Sequence, residues 1–269
     1  MTLISKQNFS DASGLSRIPI PGLSSWLMEF LKINRLNAAV KGAGNLEGAA
    51  FASHILDTIG VRVEIDGPGL ENIPANGAFI AVANHPYGGI ESLALLQTLS
   101  QVRPETLYMG NFLLKKIPNL EKCIIGVNPF EKVQNPSSIS GLKQTFKTLK
   151  DGIPVAIFPA GEVSSYDFKT RSITDREWHP IVGKIIAKAG VPVLPVYFHG
   201  DNGLFFSLLK SVHPMLQTSM LIPELFNKRG HVLKITIGKP IVMSAAGDDF
   251  NAFPLKSLRE AIYSLKRSH

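Results

Sequence analysis

The sequence predicts an α/β protein with a mixed, largely parallel central sheet flanked by helices and preceded by an N-terminal helical segment. Three observations carry that reading. Short apolar runs alternate with helical stretches along most of the chain, the rhythm of a sheet covered by helices. Two of the runs, Phe79-Ile80-Ala81-Val82-Ala83 and Val155-Ala156-Ile157-Phe158, are apolar throughout, as buried strands are. The composition, 45% hydrophobic and 18% charged over 269 residues, provides for a substantial core and argues against disorder.

Residues 1–23, in which Ser recurs and which close with the turn Ile18-Pro19-Ile20-Pro21-Gly22, are expected to form a loose arm. Residues 24–60 are read as amphipathic helices. The first is capped by Ser24 or Ser25 and carries Leu23, Trp26, Leu27, Phe30 and Leu31 on one stripe, opposite Glu29, Lys32, Asn34 and Arg35. Such a stripe fits packing on its own domain or lying in a membrane interface. A second helix is expected from Asn45 to Ile59.

Residues 61–269 are read as one α/β domain. Its strands are expected at Val61–Ile65, Ala78–Ala83, Cys123–Val127, Val155–Phe158, Val191–Phe198 and Val232–Ile237. Helices are expected at Glu91–Leu99, Ser138–Leu149 and Pro180–Ala189. Leu255, Leu258, Ile262 and Leu265 close the chain at helical spacing.

Composition also excludes several function classes. One cysteine, Cys123, makes no internal disulfide or multi-thiolate site, and the seven histidines lack zinc spacing. No apolar run reaches the roughly 18 to 20 residues that cross a bilayer, and the N-terminus lacks a basic-then-apolar signal pattern. A net charge of +7 favours anionic partners, but the lysines are not interleaved with aromatics as in a nucleic-acid module. There is no Gly-x-Ser-x-Gly elbow, phosphate loop or His-Glu-x-x-His helix.

Ligands of α/β sheets gather where strands end and helices begin, and three such ends carry unusual residues. Asn84-His85-Pro86-Tyr87-Gly88-Gly89-Ile90-Glu91 follows an apolar strand and opens a helix. Pro86 and two glycines let the backbone double back, so that Glu91 can reach the His85 ring. Neutral imidazole can then take a proton from an alcohol while the carboxylate fixes its tautomer. Phe158-Pro159-Ala160-Gly161-Glu162-Val163-Ser164 exposes Glu162 on a second strand-end turn. Val193-Leu194-Pro195-Val196-Tyr197-Phe198 places a proline inside a strand, which suggests an edge position or an irregular strand.

These three stretches, in this order and spacing, resemble blocks one, three and four of the glycerolipid acyltransferase superfamily. The likeness is strongest to its ornithine-lipid and hemolysin-like branch, and extends to Asp175 with Trp178, to His213-Pro214 and to Leu225-Phe226-Asn227-Lys228-Arg229-Gly230. The resemblance implies a glycerol-3-phosphate acyltransferase-like fold for the α/β domain. It implies an O-acyltransferase that moves a fatty acyl group from acyl carrier protein or acyl-CoA to a lysolipid hydroxyl, with His85 as general base and Glu91 as its orienter. Asn84, Gly88, Gly89, Pro159, Gly161, Glu162 and Pro195 would bind substrate, and a second block around Asn128, Pro129 and Phe130 would line the acceptor pocket. The family's usual carboxylate is an Asp; here a Glu must make the same reach.

The second block lacks the family's arginine, so a lyso-amino-acid lipid fits better than a glycerol phosphate. No metal and no cofactor beyond the thioester co-substrate is implied. The expected setting is cytoplasmic, peripheral on the inner face of the cell membrane. Lys115, Lys116, Lys132, Lys143, Lys147 and Lys150 either solvate a surface or meet carrier phosphates or anionic lipid. The apolar stretch from Leu204 to Ile222 either packs in the core or contacts lipid. Two other readings are a catalytically weakened lipid- or carrier-binding protein on the same fold and a lipid or thioester hydrolase.

Overall fold

The computed structural model describes residues 3–12, 20, 22–67, 69–127, 136–242 and 254–267. Inside the segment expected as a loose arm, Lys6–Ala12 form helix α1. A helix this short and polar needs tertiary support. Ile4 exchanges backbone hydrogen bonds with the Asn37 side chain at 2.9 and 2.8 Å, and Ser10 meets Ser24 at 3.1 Å.

Three helices follow: α2 (Leu23–Phe30), α3 (Ile33–Gly42) and α4 (Gly48–Ile59). The sequence reading anticipates α2 and α4 but not α3, which begins after Lys32 turns the chain in a left-handed conformation, φ 54°. The apolar stripe of α2 is divided. Leu23, Leu27 and Leu31 are half-buried, whereas Trp26 is 63% exposed and its ring stacks on the exposed Phe30 at 5.6 Å; the buried residue of the helix, Met28, lies off the stripe.

The central sheet has seven strands in the order β1 (Arg62–Asp66), β9 (Val232–Ile237), β8 (Val193–Phe198), β2 (Ile80–Ala83), β5 (Val155–Ile157), β3 (Leu107–Asn111) and β4 (Ile124–Val127). Only the β8–β9 junction is antiparallel; the other neighbours run parallel. The sheet is therefore mixed and mostly parallel. Strand β3 escapes the sequence reading because Gly110 and Asn111 interrupt its apolar character.

Alternation across the sheet divides the core in two. Phe79, Ala81 and Ala83 face Phe51 and Leu56 of α4 and Leu95 of α5 (Ile90–Leu99). Ile80, Val82 and Ile157 face the other way. They meet Leu149 of α6 (Pro136–Lys150), Ile185 and Ile186 of α7 (Pro180–Ala189) and Ile262 of α11 (Leu255–Ser264). Helix α7 begins at Pro180, whose missing N–H costs nothing at a helix start, and His179 caps it by accepting from the Ile181 amide.

Pro195 corrects the edge expectation, because β8 is an interior strand. The irregular-strand alternative explains it. Pairing with the β9 side passes from Val196↔Ile237 to Val193↔Ile241, so one strand carries an extra residue. Pro195 sits opposite that bulge and accepts from the Gly238 amide at 2.9 Å. A Cβ on Gly238 would lie 2.9 Å from the Pro195 ring, so glycine there admits the proline.

The remaining elements follow the ends of the interior strands β5 and β8. A hairpin of β6 (Ser165–Asp167) and β7 (Ser172–Thr174) follows β5. Helices α8 (Gly203–Val212), α9 (Pro214–Ser219) and α10 (Leu221–Asn227) follow β8. They fold the apolar stretch after Leu204 into short turns rather than a span, and among the described residues no helix is long and apolar enough to cross a membrane.

Candidate active site

Strands β2, β5 and β8 end together, and the three singled-out stretches begin there. Where β2 stops, the Asn84 side chain continues it. Its amide nitrogen donates to the Phe198 carbonyl at 2.9 Å and its oxygen accepts from the Phe198 amide at 2.7 Å. This side chain imitates a ladder rung and fixes where the loop leaves the sheet.

His85 follows, held by its backbone. Its amide donates to Asp175 Oδ1 at 3.1 Å, and its carbonyl accepts from the Ser164 amide at 2.9 Å and the Ser164 hydroxyl at 3.2 Å. Asp175 is buried and accepts from Ser164 Oγ at 2.6 Å and Trp178 Nε1 at 3.1 Å. The ring of His85 stacks on Phe158 at 4.3 Å. Position and tilt of the imidazole are thus set by three separate segments.

The loop then folds back on Glu91, in the first turn of α5. Gly88 makes this turn at φ 90°, where a Cβ would lie 2.5 Å from Leu221 and 2.6 Å from Val163. Glu91 Oε1 accepts from the Tyr87 and Gly88 amides, each at 2.7 Å. The same oxygen lies 3.0 Å from His85 Nδ1, with Glu91 0% and His85 14% exposed. The approach is too oblique for a hydrogen bond, and Nδ1 and Glu91 Oε2 are buried without one. Contacts between a candidate base and its orienting carboxylate commonly tighten only when substrate binds.

Burial opposes charge on both groups, yet each favours charge on the other. For His85, burial is outweighed by the Glu91 charge and contact and by Asp175, so its pKa is raised. For Glu91, burial is outweighed by His85 and by the Gly88 and Tyr87 amides, so its pKa is lowered. With Glu91 facing Nδ1, the neutral ring carries its proton there and leaves the Nε2 lone pair as a base.

Of the residues expected to touch substrate, Asn84, Pro159 and Pro195 also serve as scaffold. All three are buried. Asn84 is spent on Phe198, Pro159 accepts from the His179 amide at 3.2 Å, and Pro195 fills the bulge. Gly88 and Gly89 shape the turn into α5, and Gly161 turns the β5 loop at φ 67°. Glu162 lies half-buried beside them, paired with Lys210 of α8 and with Arg176 at 3.1 Å. Asn128 and Phe130, like Pro129 and Lys132, lie outside the described residues. Asp175 enters the sequence reading only through its likeness to a family motif. Its clamp on His85, together with Ser164, Arg176 and Lys210, joins positions too distant in sequence for spacing to reveal.

A family model described as Acyltransferase matches residues 9–268. The chain belongs to the acyltransferase family. It thus falls in the lysophospholipid acyltransferase superfamily that its motifs resemble. This acyltransferase is 28% identical over 224 residues to the lyso-glycine lipid O-acyltransferase of Phocaeicola vulgatus, spanning 81% of this chain and 77% of that protein. It is 27% identical over 226 residues to the protein of the same name in Bacteroides thetaiotaomicron, spanning 81% and 79%. Its fold is similar to the crystal structure of the 1-acyl-sn-glycerophosphate acyltransferase PlsC from Thermotoga maritima, with a TM-score of 0.50 and 18% identity over 91% of this chain and 88% of that one.

Proposed function

We propose that this acyltransferase moves a fatty acyl group from a thioester, carried by acyl carrier protein or coenzyme A, to the hydroxyl of a lysolipid, with a lyso-amino-acid lipid as the favoured acceptor. The observation that carries the reading is the fully buried Glu91 carboxylate set 3.0 Å from Nδ1 of a partly open His85. The two relatives named as lyso-glycine lipid O-acyltransferases support the acceptor class.

His85 Nε2 takes the proton of the acceptor hydroxyl as its oxygen attacks the thioester carbonyl. Glu91 stabilises the imidazolium that forms. The tetrahedral intermediate then expels the thiolate, which receives the proton from His85, so an ester and a free thiol leave. The first turn of α5, whose amides lack partners within the helix, is the donor set assigned to the oxyanion. This chemistry calls on no resident metal or redox cofactor.

The acceptor is an amphiphile, and exposed apolar groups support a peripheral contact with a membrane; the proposed setting is its inner, cytoplasmic face. Phe205 is 75% exposed on α8, and Met215 and Leu216 of α9 are exposed as well. Lys32, between α2 and α3, reaches the Pro223 carbonyl at 3.4 Å, which ties α10 to the helices that carry Trp26 and Phe30.

Purified protein incubated with labelled acyl-carrier and acyl-CoA donors and a panel of lysolipids tests the reading. O-acylated lipid is the expected product. Release of free fatty acid alone would make the protein a hydrolase, and lipid binding without turnover of either kind would make it a binding protein.

A further inference from the structure

Glu162 is held by more positive charge than it needs. One of its oxygens, Oε1, receives both Lys210 Nζ, from the last turn of α8, and Arg176 Nη1. Tying α8 to the loop after β5 would take one cation; two leave the cluster with a net charge of +1. All three side chains are only partly exposed, with Arg176 the most open at 50%, so an arriving anion meets charges that are partly stripped of water.

The cluster shares its supports with the base. Glu162 lies two residues before Ser164, and Arg176 directly follows Asp175. Ser164 and Asp175 are the residues that hold the His85 carbonyl and amide. Glu162 and Arg176 thus flank in sequence the two residues that fix the backbone of His85. Helix α8 carries Lys210 and also exposes Leu204 and Phe205, so one helix offers a cation for a head group and apolar surface for a chain.

We propose that Lys210 and Arg176, gathered by Glu162, are the specificity-determining seat for the acceptor's head group, and that the seat selects a singly charged carboxylate over a phosphate. One carboxylate neutralises the surplus charge, and the Arg176 fork matches its geometry. A phosphate monoester carries close to two charges at neutral pH, so its second charge faces the Glu162 carboxylate uncompensated. Glu162 thus fills two roles, keeping the cations together in the free enzyme and discriminating against dianions.

This inference rests on the lysolipid reading above, so its test has two arms. In the first, kcat/KM is measured for a hydroxylated N-acyl glycine, its methyl ester and lysophosphatidic acid of matched chain length. Wild type is expected to prefer the carboxylate over its ester. Lys210→Met and Arg176→Gln are each expected to cut that preference about tenfold through KM, as loss of a charge-assisted contact does. Glu162→Gln is expected to raise the relative use of lysophosphatidic acid. If both cation variants lose rate equally on carboxylate and ester, the cluster is only a strut and the inference fails.

The second arm needs no turnover. Isothermal titration with an N-acyl glycine that lacks a hydroxyl is expected to give about tenfold weaker binding in Lys210→Met. Equal affinity in folded wild type and variant overturns the seat, whereas weakened binding in a protein that transfers to no lysolipid keeps the seat and sinks the transfer reading.

Discussion

Replacing Glu91 with Gln removes one buried charge and leaves the side chain's outline intact. The oxygen that accepts the Tyr87 and Gly88 amides at 2.7 Å remains, but both hydrogen bonds become neutral, a loss of about 2 kcal/mol in stability. The same oxygen still faces His85 Nδ1, but it no longer carries the charge that stabilises the imidazolium formed as the base takes its proton, so general-base catalysis is largely lost. General-base catalysis is worth roughly 10² to 10⁴ in rate, so kcat/KM is expected to fall by that factor, about 3 to 5 kcal/mol in the barrier.

The pH profile gives a second signature. Burial pulls the His85 pKa down, but Glu91 and Asp175 together hold it above 6.5. Activity needs neutral imidazole, so the acid limb of the wild-type profile lies above that value and moves to lower pH in Glu91→Gln. Stability follows the same pair. The lowered Glu91 pKa contributes above 4.5 and is lost as pH falls through its folded value; the raised His85 pKa contributes below 6.5 and is lost as pH rises through its folded value. The gap in melting temperature between wild type and variant is therefore widest between 4.5 and 6.5. Single-turnover transfer from a labelled thioester, measured across pH beside thermal melts, reads all of this. A variant with undiminished rate, or an acid limb that shifts upward, would refute the reasoning.

Other sites give separate expectations. Asn84→Ala strands the buried amide and carbonyl of Phe198, so stability should drop by about 2 to 4 kcal/mol and the melting temperature by roughly 5 to 15 °C; calorimetry showing no change would remove Asn84 from the scaffold. Gly88→Ala forces a Cβ to within 2.6 Å of Val163 at a φ of 90°, and a loop displaced by about 1 Å is expected to cost around 100-fold in kcat; full activity would show that the turn tolerates the shift. Trp26→Ser combined with Phe30→Ser removes two exposed aromatic side chains of α2 and is expected to abolish sedimentation with anionic vesicles while transfer to a detergent-dispersed acceptor continues; unchanged sedimentation would place the membrane contact elsewhere.

The parts of this molecule written locally in the sequence could be read from it. Helix α7 and strand β9 occupy the residues expected, because each has its own periodicity and a clear stop. His85 and Glu91 share one loop, so their encounter needs only a tight turn, and Gly88 supplies it. What sequence reading misses is what tertiary contact decides. Helix α1 is tethered through Asn37 and Ser24, and Pro195 is admitted to an interior strand by the bulge at Gly238. Asn84 reads as a substrate contact, and its scaffold role shows only where Phe198, 114 residues away, takes both ends of its amide. The clamp of Asp175 on His85 spans 90 residues, and the pairing of Lys210 with Glu162 spans 48. No spacing rule links positions so far apart.

The proposed chemistry depends on the imidazole of His85 removing the acceptor's proton. Acyl transfer in a single turnover by His85→Ala, compared with wild type at matched folding and matched lysolipid binding, tests it most directly. A rate at least about 100-fold lower with binding intact is expected; transfer at the wild-type rate would rule His85 out as the base.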